Sequence, residues 1–537
     1  MSPPGSPRFA ENPPWLIGLV AAGLGLGTGE LLAALVSSIR SPLLAIADRV
    51  VDLSPAGVRD WAIQTLGTLD KPALIVGTLV ILGLAATGLG RLAVRDTKSS
   101  AAACAIAFAV GLLGALAAWT GRNSGPASGA GALLGGAVSA GALWWLTHDP
   151  VSASPEGPHD RDRSDIDTPL LLTRRTTLGG LGLVALVQLA LAGAVQVVGG
   201  RGKAQAARDE VTLPEADRTA PPLPHDPATT ATDGPTPVDG LSPLVTPTGD
   251  FYRIDTAFVP PSVDPDGWSL TIAGGSNGPL TLSYADLLGR EQVEIDCTLS
   301  CVSNEVGGDL VGNARWQGVE LRSVLEEAGI PASATQVGAT STDGWTCGFP
   351  IEALERPAGD ATPPALIALG MGGEPLPIIH GFPARLVIPG LYGYVSACKW
   401  VERIELTTWE DFTGYWIPRG WSREAPIKTQ SRIDVPADSA TVNAGAATVA
   451  GVAWAGRRAL ANVEVRVDGG PWRPATLGPE LSNATWRQWW WEWDATPGEH
   501  TLTVRATDGE GDTQTAKPGR PDPDGATGHH RVVVNVR

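Results

Sequence analysis

The chain has 537 residues, room for about three domains, and 56 acidic against 39 basic residues give it a formal charge of −17. That charge, with no basic stretch interleaved with aromatics, excludes nucleic acid as a partner. Nineteen tryptophans against two methionines, many of the tryptophans in the C-terminal third, and a mean hydropathy near zero that averages two unlike halves point to a chain of separate parts.

Five apolar segments come first: Trp15 to Val36, Ala73 to Ala93, Ala101 to Trp119, Gly129 to Leu146 and Leu178 to Val198. Each is about long enough to cross a hydrocarbon core of about 30 Å, which predicts a transmembrane α-helical bundle over residues 1–200. An odd number of spans places the termini on opposite sides. Lys and Arg are only modestly biased toward one set of loops, and Arg201, Lys203 and Arg208 cancel the bias. Orientation therefore rests on Arg174 and Arg175 in "TRRTTLGGLGLVAL", which read either as a twin-arginine export signal or as two positive-inside anchors. Both readings leave the C-terminal part outside. Glu30 lies within the first span; an intramembrane carboxylate suggests proton or quinone chemistry, and a hydrated residue at the outer interface is the plainer reading. "SPAGVRDWAIQTLGTLDKP" suggests an amphipathic surface helix, and Cys104 packs within a span.

From 201 to 247 Pro, Ala, Thr and Asp dominate. Such a composition buries too little apolar surface to fold, and predicts a flexible linker. Beyond Phe251 helix and strand signals mix: "GWSLTIAG" reads as a strand, "SYADLLG" as a short helix capped by Ser283, "LRSVLEEAGI" as an amphipathic helix closed by Gly329, and "ARLVIPG" as a strand. After Ser431 the pattern is purely β. "VEVRVDGGPW" alternates and then turns at Asp468-Gly469, "HTLTVRATDGEG" and "HRVVVNV" repeat the habit, and together they read as an immunoglobulin-like sandwich.

The segment "DCTLSCVSNEVGGDLVGNARWQGV" holds two of the five cysteines. Cys297 and Cys301 share one face of a strand, roughly 13 Å apart, beyond the roughly 7 Å reach of a disulfide. Cys297 fills core space, whereas Cys301 ends the strand where a polar, glycine-rich loop opens, a place suited to a reactive side chain. Cys347 and Cys398 can pair in an oxidising exterior.

The blocks "TLSCVSNEVGGDLVGNARWQGVEL" and "HGFPARLVIPGLYGYVSACKWVERIEL", followed by a β-sandwich, resemble the sulfite oxidase family of molybdopterin enzymes, over roughly Phe251 to Arg537. The front half resembles membrane-anchored bacterial members. The resemblance implies a multi-domain chain: the transmembrane bundle, the linker, a mixed α+β molybdopterin domain at 248–425 and an immunoglobulin-like, dimerisation-type sandwich at 426–537. It implies a molybdenum-molybdopterin cofactor, with Cys301 as the thiolate on the metal, soft sulfur suiting such a centre; a buried structural cysteine is the alternative. His380 and Arg385 match the block that binds the pterin and its phosphate. An arginine in an apolar strand wants an anion, although an internal salt bridge would also serve. Ser396 and Lys399 would close the cofactor's far end, Lys399 one residue further along than in sulfite oxidases. Asn304 and Asp343 would contact the pterin, or act as turn residues, as would Asn313. "DFYRID" places Tyr252, Arg253 and Asp255 at the cofactor or substrate. Asp255 stands where sulfite oxidases carry histidine, which argues against sulfite, since a carboxylate beside the channel disfavours an anion. Arg419 and Arg487 are candidates for a cationic substrate funnel.

The expected function is a membrane-anchored oxidoreductase that transfers an oxygen atom or an electron pair on a small substrate at the outer membrane face. The sequence has neither C-x-x-C-H nor an iron–sulfur cysteine set, so electrons would pass to or from a separate quinone or cytochrome; a homodimer is expected by analogy. Two other classes compete: a non-catalytic surface adhesion protein using "TWRQWWWEWDA" as an exposed patch, and a transporter, disfavoured by the few intramembrane charges.

Overall fold

The computed structural model describes residues 13–36, 38–55, 58, 65–66, 69–121, 124–148, 174–194, 201–226, 228, 238–356 and 361–537. The chain divides into two compact units, Met1–Gly202 and Lys203–Arg537.

Among the described residues of the first unit four helices are long and apolar enough to cross a membrane: Pro14–Leu35, Lys71–Ala93, Thr97–Trp119 and Ala130–Thr147. Of the fifth expected span, Leu178–Val198, the described residues show the apolar run Leu178–Gly193 within the helix Arg174–Ala194, and 195–198 lie outside the described residues. Small residues let the helix backbones meet: a Cβ on Gly25 would lie 2.3 Å from Gly135 O, and one on Gly111 would lie 2.6 Å from Gly136 Cα, the close approach that small-residue helix interfaces permit. Glu30 is buried, 8% exposed. Its carboxylate accepts from Ser41 Oγ at 2.9 Å and from Leu43 N–H at 2.9 Å, at the N-terminus of the helix Pro42–Leu53, where negative charge is favoured. Glu30→Ala is therefore expected to cost about 1–3 kcal/mol, read as a lowered unfolding temperature in detergent. The expected amphipathic helix over 54–72 lies mostly outside the described residues.

The second unit holds four sheets. β1 (Ser269–Ala273), β2 (Leu280–Ser283), β5 (Gln336–Ser341), β6 (Thr346–Pro350) and β10 (Val401–Thr407) form one, in the order β2-β1-β10-β5-β6. β3 (Val293–Ser300), β4 (Val311–Glu320), β7 (Leu366–Met371) and β8 (Glu374–Pro375) form the second, with β9 (Arg385–Val387) paired on β7. Leu270 and Ile272 of one sheet share a core with Ile295, Trp316 and Leu366 of the other. Ser283 and Asp286 close a capping box on the helix Tyr284–Leu288, and Gly329 ends the helix Leu321–Ala328 at φ +80°.

The remaining strands are β11 (Gln430–Val435), β12 (Thr441–Val442), β13 (Gly445–Trp454), β14 (Leu460–Val467), β15 (Arg473–Pro474), β16 (Thr476–Leu477), β17 (Arg487–Ala495), β18 (Gly498–Asp508) and β19 (Arg531–Val536). They build two sheets, β11-β13-β17-β16 and β12-β19-β18-β14-β15, which bury Val449 and Trp489 against Val463, Val504 and Val532. Asp468 and Gly469 both take positive φ at the β14–β15 turn, as an Asp-Gly hairpin requires.

Two expectations change. The tryptophans of β17 do not form one exposed patch: Trp489 and Trp493 are in the core between the two sheets and Trp491 packs against it, because the period-2 alternation turns these three inward and only Trp490 to the other face. Nor is the described part of 201–247 a free tether. Arg208 donates to Leu376 O and Pro375 O, Arg218 pairs with Glu320 at 2.6 Å, Thr246 N–H donates to Asn313 O, and Leu241 and Leu244 are buried. The few apolar residues of the segment thus find a surface that composition alone does not reveal.

Candidate active site

β3 pairs with β4 over its whole length and brings the chain to Cys301 at its end. The turn that follows is tied by three bonds: Cys301 N–H to Leu310 O, Asn304 N–H to Cys301 O, and Leu310 N–H to Asn304 Oδ1. Cys301 is half-buried and free. Burial pushes its thiol up from the ordinary value, while the N–H and hydroxyl of Ser303 beside the sulfur pull it down.

Arg385 opens β9 and is 4% exposed. Its guanidinium lies over the Trp316 ring, 4.9 Å from the centroid, and donates to His380 O at 3.1 Å. Among the described residues no carboxylate lies within ion-pair distance of it, and burial lowers its pKa to about 10. His380 is 2% exposed, edge-on to Phe251, and its Nε2 has no hydrogen-bond partner. Gly381, at φ +115°, sits between the two cationic side chains of the block: a Cβ there would come within 3.0 Å of Arg385 Cβ and 3.1 Å of Lys399 Cβ. Burial first, then Arg385 and Lys399, lower the His380 pKa to about 4. Because its folded pKa is depressed below the usual 6.5, the unfolded chain takes up the proton first as pH falls, so His380 contributes stability above about pH 6.5 that is lost toward pH 4. The loss should approach about 3 kcal/mol in cofactor-free protein and be absent from that of His380→Gln, as chemical unfolding at stepped pH would read.

Asp255, its side chain 2% exposed, pairs with Lys399 and, at 2.6 Å, with Arg253. Burial pushes its carboxyl up, but the Lys399 ammonium and Arg253 overcome this and hold it below the usual range. Lys399 also donates to Ile379 O, and burial lowers its pKa to about 8. Tyr252 stacks on Phe251 at 5.3 Å; burial, then the nearby Cys301, push its phenol well above its ordinary value.

The structure thus gathers Tyr252, Arg253, Asp255, Cys301, His380, Arg385 and Lys399. Other expected residues serve the backbone. Asp343 Oδ1 accepts from Trp345 N–H, the Ser396 hydroxyl donates to Leu391 O and Tyr392 O, and Asn304 holds its own turn. Asn313 donates to Leu244 O and accepts from Thr298. Arg419 stacks on Tyr415 at 3.6 Å, and Arg487 donates to Gly478 O and Leu460 O within the sandwich, which removes it from a substrate funnel. Cys347 and Cys398 are free and fully buried. Sequence reasoning passed over Trp316, the ring under Arg385, although its pairing opposite Ile295 follows from strand alternation. It also passed over Ser303, which faces the thiol and for which no periodic signal exists.

A buried guanidinium with no ion-paired carboxylate among the described residues and an imidazole with a free nitrogen, linked through Tyr252 to a thiol at a strand end, fit a phosphorylated cofactor that carries a thiophilic metal. That defines a cofactor-dependent enzyme. Residues 257–416 match the family described as oxidoreductase molybdopterin binding domain. Human mitochondrial sulfite oxidase is 31% identical over 303 residues, 48% of this chain and 55% of that protein. The uncharacterized oxidoreductase YuiH of Bacillus subtilis is 32% identical over 174 residues, 32% of this chain and 82% of that protein. A solved structure of the sulfane dehydrogenase SoxCD from Paracoccus pantotrophus aligns with a TM-score of 0.47 at 23% identity, covering 55% of this chain and 84% of that one. The chain belongs to the sulfite oxidase-type molybdopterin oxidoreductases, whose domain binds the molybdenum-molybdopterin cofactor. It spans about half the length of the curated sulfite oxidases it matches.

Proposed function

We propose that the chain is a membrane-anchored enzyme that transfers an oxygen atom, or the equivalent electron pair, on a small substrate at the outer face of the cell membrane. The observation that carries this reading is Arg385, buried without a carboxylate beside the unpartnered His380 Nε2. Cys301 is the thiolate on molybdenum, and His380, Arg385 and Lys399 hold the pterin and its phosphate, with Tyr252, Asn304, Asp343 and Ser396 around them. The bound cofactor supplies two-electron chemistry between Mo(VI) and Mo(IV). The protein's own groups bind and orient: Arg385 takes the phosphate, Asp255 fixes Lys399, His380 stays neutral near pH 7, and Tyr252 keeps its proton.

Three cations, Arg253, Arg385 and Lys399, stand against one carboxylate, Asp255, whose charge is taken up by its two partners. Asp255 therefore does not bar an anionic substrate, and sulfite returns as a candidate. The four long apolar helices support the anchor, the exported orientation rests on Arg174 and Arg175, and the two-sheet C-terminal part supports an immunoglobulin-like module able to pair two copies. Electrons pass to or from a separate quinone or cytochrome. Turnover of sulfite, sulfoxides, N-oxides and nitrate with an artificial electron carrier tests the reading. Activity on one class, lost in Cys301→Ser, is expected; silence on all four from folded, molybdenum-loaded protein would overturn it.

A further inference from the structure

The loop after Cys301 is short of internal structure but not of support. Beyond Asn304 it carries Gly307 at φ +82°, and a Cβ there would strike the His530 ring at 2.2 Å. His530 precedes β19 and accepts from Ile433 N–H at 3.0 Å, so the imidazole is fixed by β11 on one side and closed by the loop on the other. From the same strand Arg432 reaches the loop directly: its NH1 donates to Gly308 O at 2.8 Å. Its other donors are occupied by Asp434 Oδ1 at 2.6 Å and Ser242 Oγ at 2.7 Å. The side chains of Arg432 and Asp434 are 12% and 8% exposed. Three acceptors in three directions need a planar fork; an ammonium on a flexible stem cannot reproduce them. β3 is held from the same side, Thr298 N–H donating to Ala484 O and Trp486 N–H to Thr298 Oγ1.

We propose that Arg432 of the C-terminal sandwich is a positioning residue for the thiol loop: through Gly308, with His530 behind Gly307, the sandwich sets the backbone that presents Cys301. This makes the sandwich a working part of the active site in each single chain. It rests on the reading of Cys301 as the metal ligand, but the clamp itself exists in metal-free protein and can be measured there. Without Arg432, Gly308 O loses its donor and the loop gains alternative conformations, so the thiolate meets the metal in a distribution of geometries.

The test uses the full chain in detergent, as Arg432→Lys and Arg432→Met. In cofactor-free protein, amide exchange over 302–310 should rise about tenfold in Arg432→Lys while β13 and β17 stay protected. In loaded protein the Mo(V) resonance should broaden, with kcat reduced and KM little changed. Should Arg432→Met fail to fold, Arg432→Lys, which keeps the charge beside Asp434, decides. Wild-type exchange over 302–310 together with an unaltered Mo(V) line shape would overturn the proposal. Faster exchange in Arg432→Lys combined with an unchanged count of sulfur ligands at molybdenum in Cys301→Ser would leave the clamp standing and sink the assignment of Cys301.

Discussion

Arg385→Met should make the cofactor-free protein more stable and weaken its hold on the cofactor. The guanidinium is 4% exposed, has backbone acceptors and a tryptophan face but no carboxylate, and its pKa is lowered to about 10 from 12.5. At neutral pH that depression corresponds to a penalty of about 3 kcal/mol for keeping the charge folded, and methionine can occupy the space over Trp316 without it. The stabilisation should be about 1–3 kcal/mol after allowing for the lost stacking and the bond to His380 O. Cofactor retention moves the other way. A charge-assisted fork to phosphate contributes about 1.5–3 kcal/mol, so affinity should fall about 10- to 150-fold. Calorimetry of the cofactor-free pair and pterin fluorescence after gel filtration of the loaded pair read the two effects, and a variant that is less stable without cofactor and retains its pterin when loaded would show that Arg385 is a structural arginine.

Cys301→Ser should take away the metal's protein ligand and leave the pterin in place. The residue is half-buried, at the end of β3, and the isosteric hydroxyl should fold normally. Burial already holds the thiol above its ordinary range, and a serine hydroxyl ionises far less readily, so the variant offers molybdenum a hard and mostly protonated donor in place of a soft thiolate. Turnover should fall to the assay floor, while the pterin stays bound through His380, Arg385 and Lys399. Equal loss of pterin in Cys301→Ser and Arg385→Met would mean that the two residues do not play separate parts.

Much of the site was legible because chemistry-bearing residues sat in patterned strands. Cys301 at the end of an alternating run and Arg385 in an apolar strand were conspicuous, and the structure brings both near Tyr252, whose phenol feels each of them. Asp255 was read as a lone carboxylate at a channel, since nothing local shows that Lys399, 144 positions on, is its counter-ion. The packing of 203–226 and of Leu241 and Leu244 was missed for the same reason, as composition reports average burial and not the few residues that find a partner. The tryptophans of β17 were counted as a cluster, although alternation already assigned Trp489, Trp491 and Trp493 to one inward face and Trp490 to the other. Glu30 was judged by its setting in an apolar helix, while its role depends on Ser41 and Leu43 just beyond that helix. Arg432 carried no signal at all: its acceptor is a backbone carbonyl in another domain.

X-ray absorption at the molybdenum edge of purified wild type and Cys301→Ser measures the metal's sulfur ligands directly. Three sulfurs in the wild type, two from the pterin and one from Cys301, falling to two in the variant, is the expected result. An unchanged sulfur count, or a folded wild-type protein that carries no molybdenum, would contradict the assignment of this thiol as the metal's protein ligand.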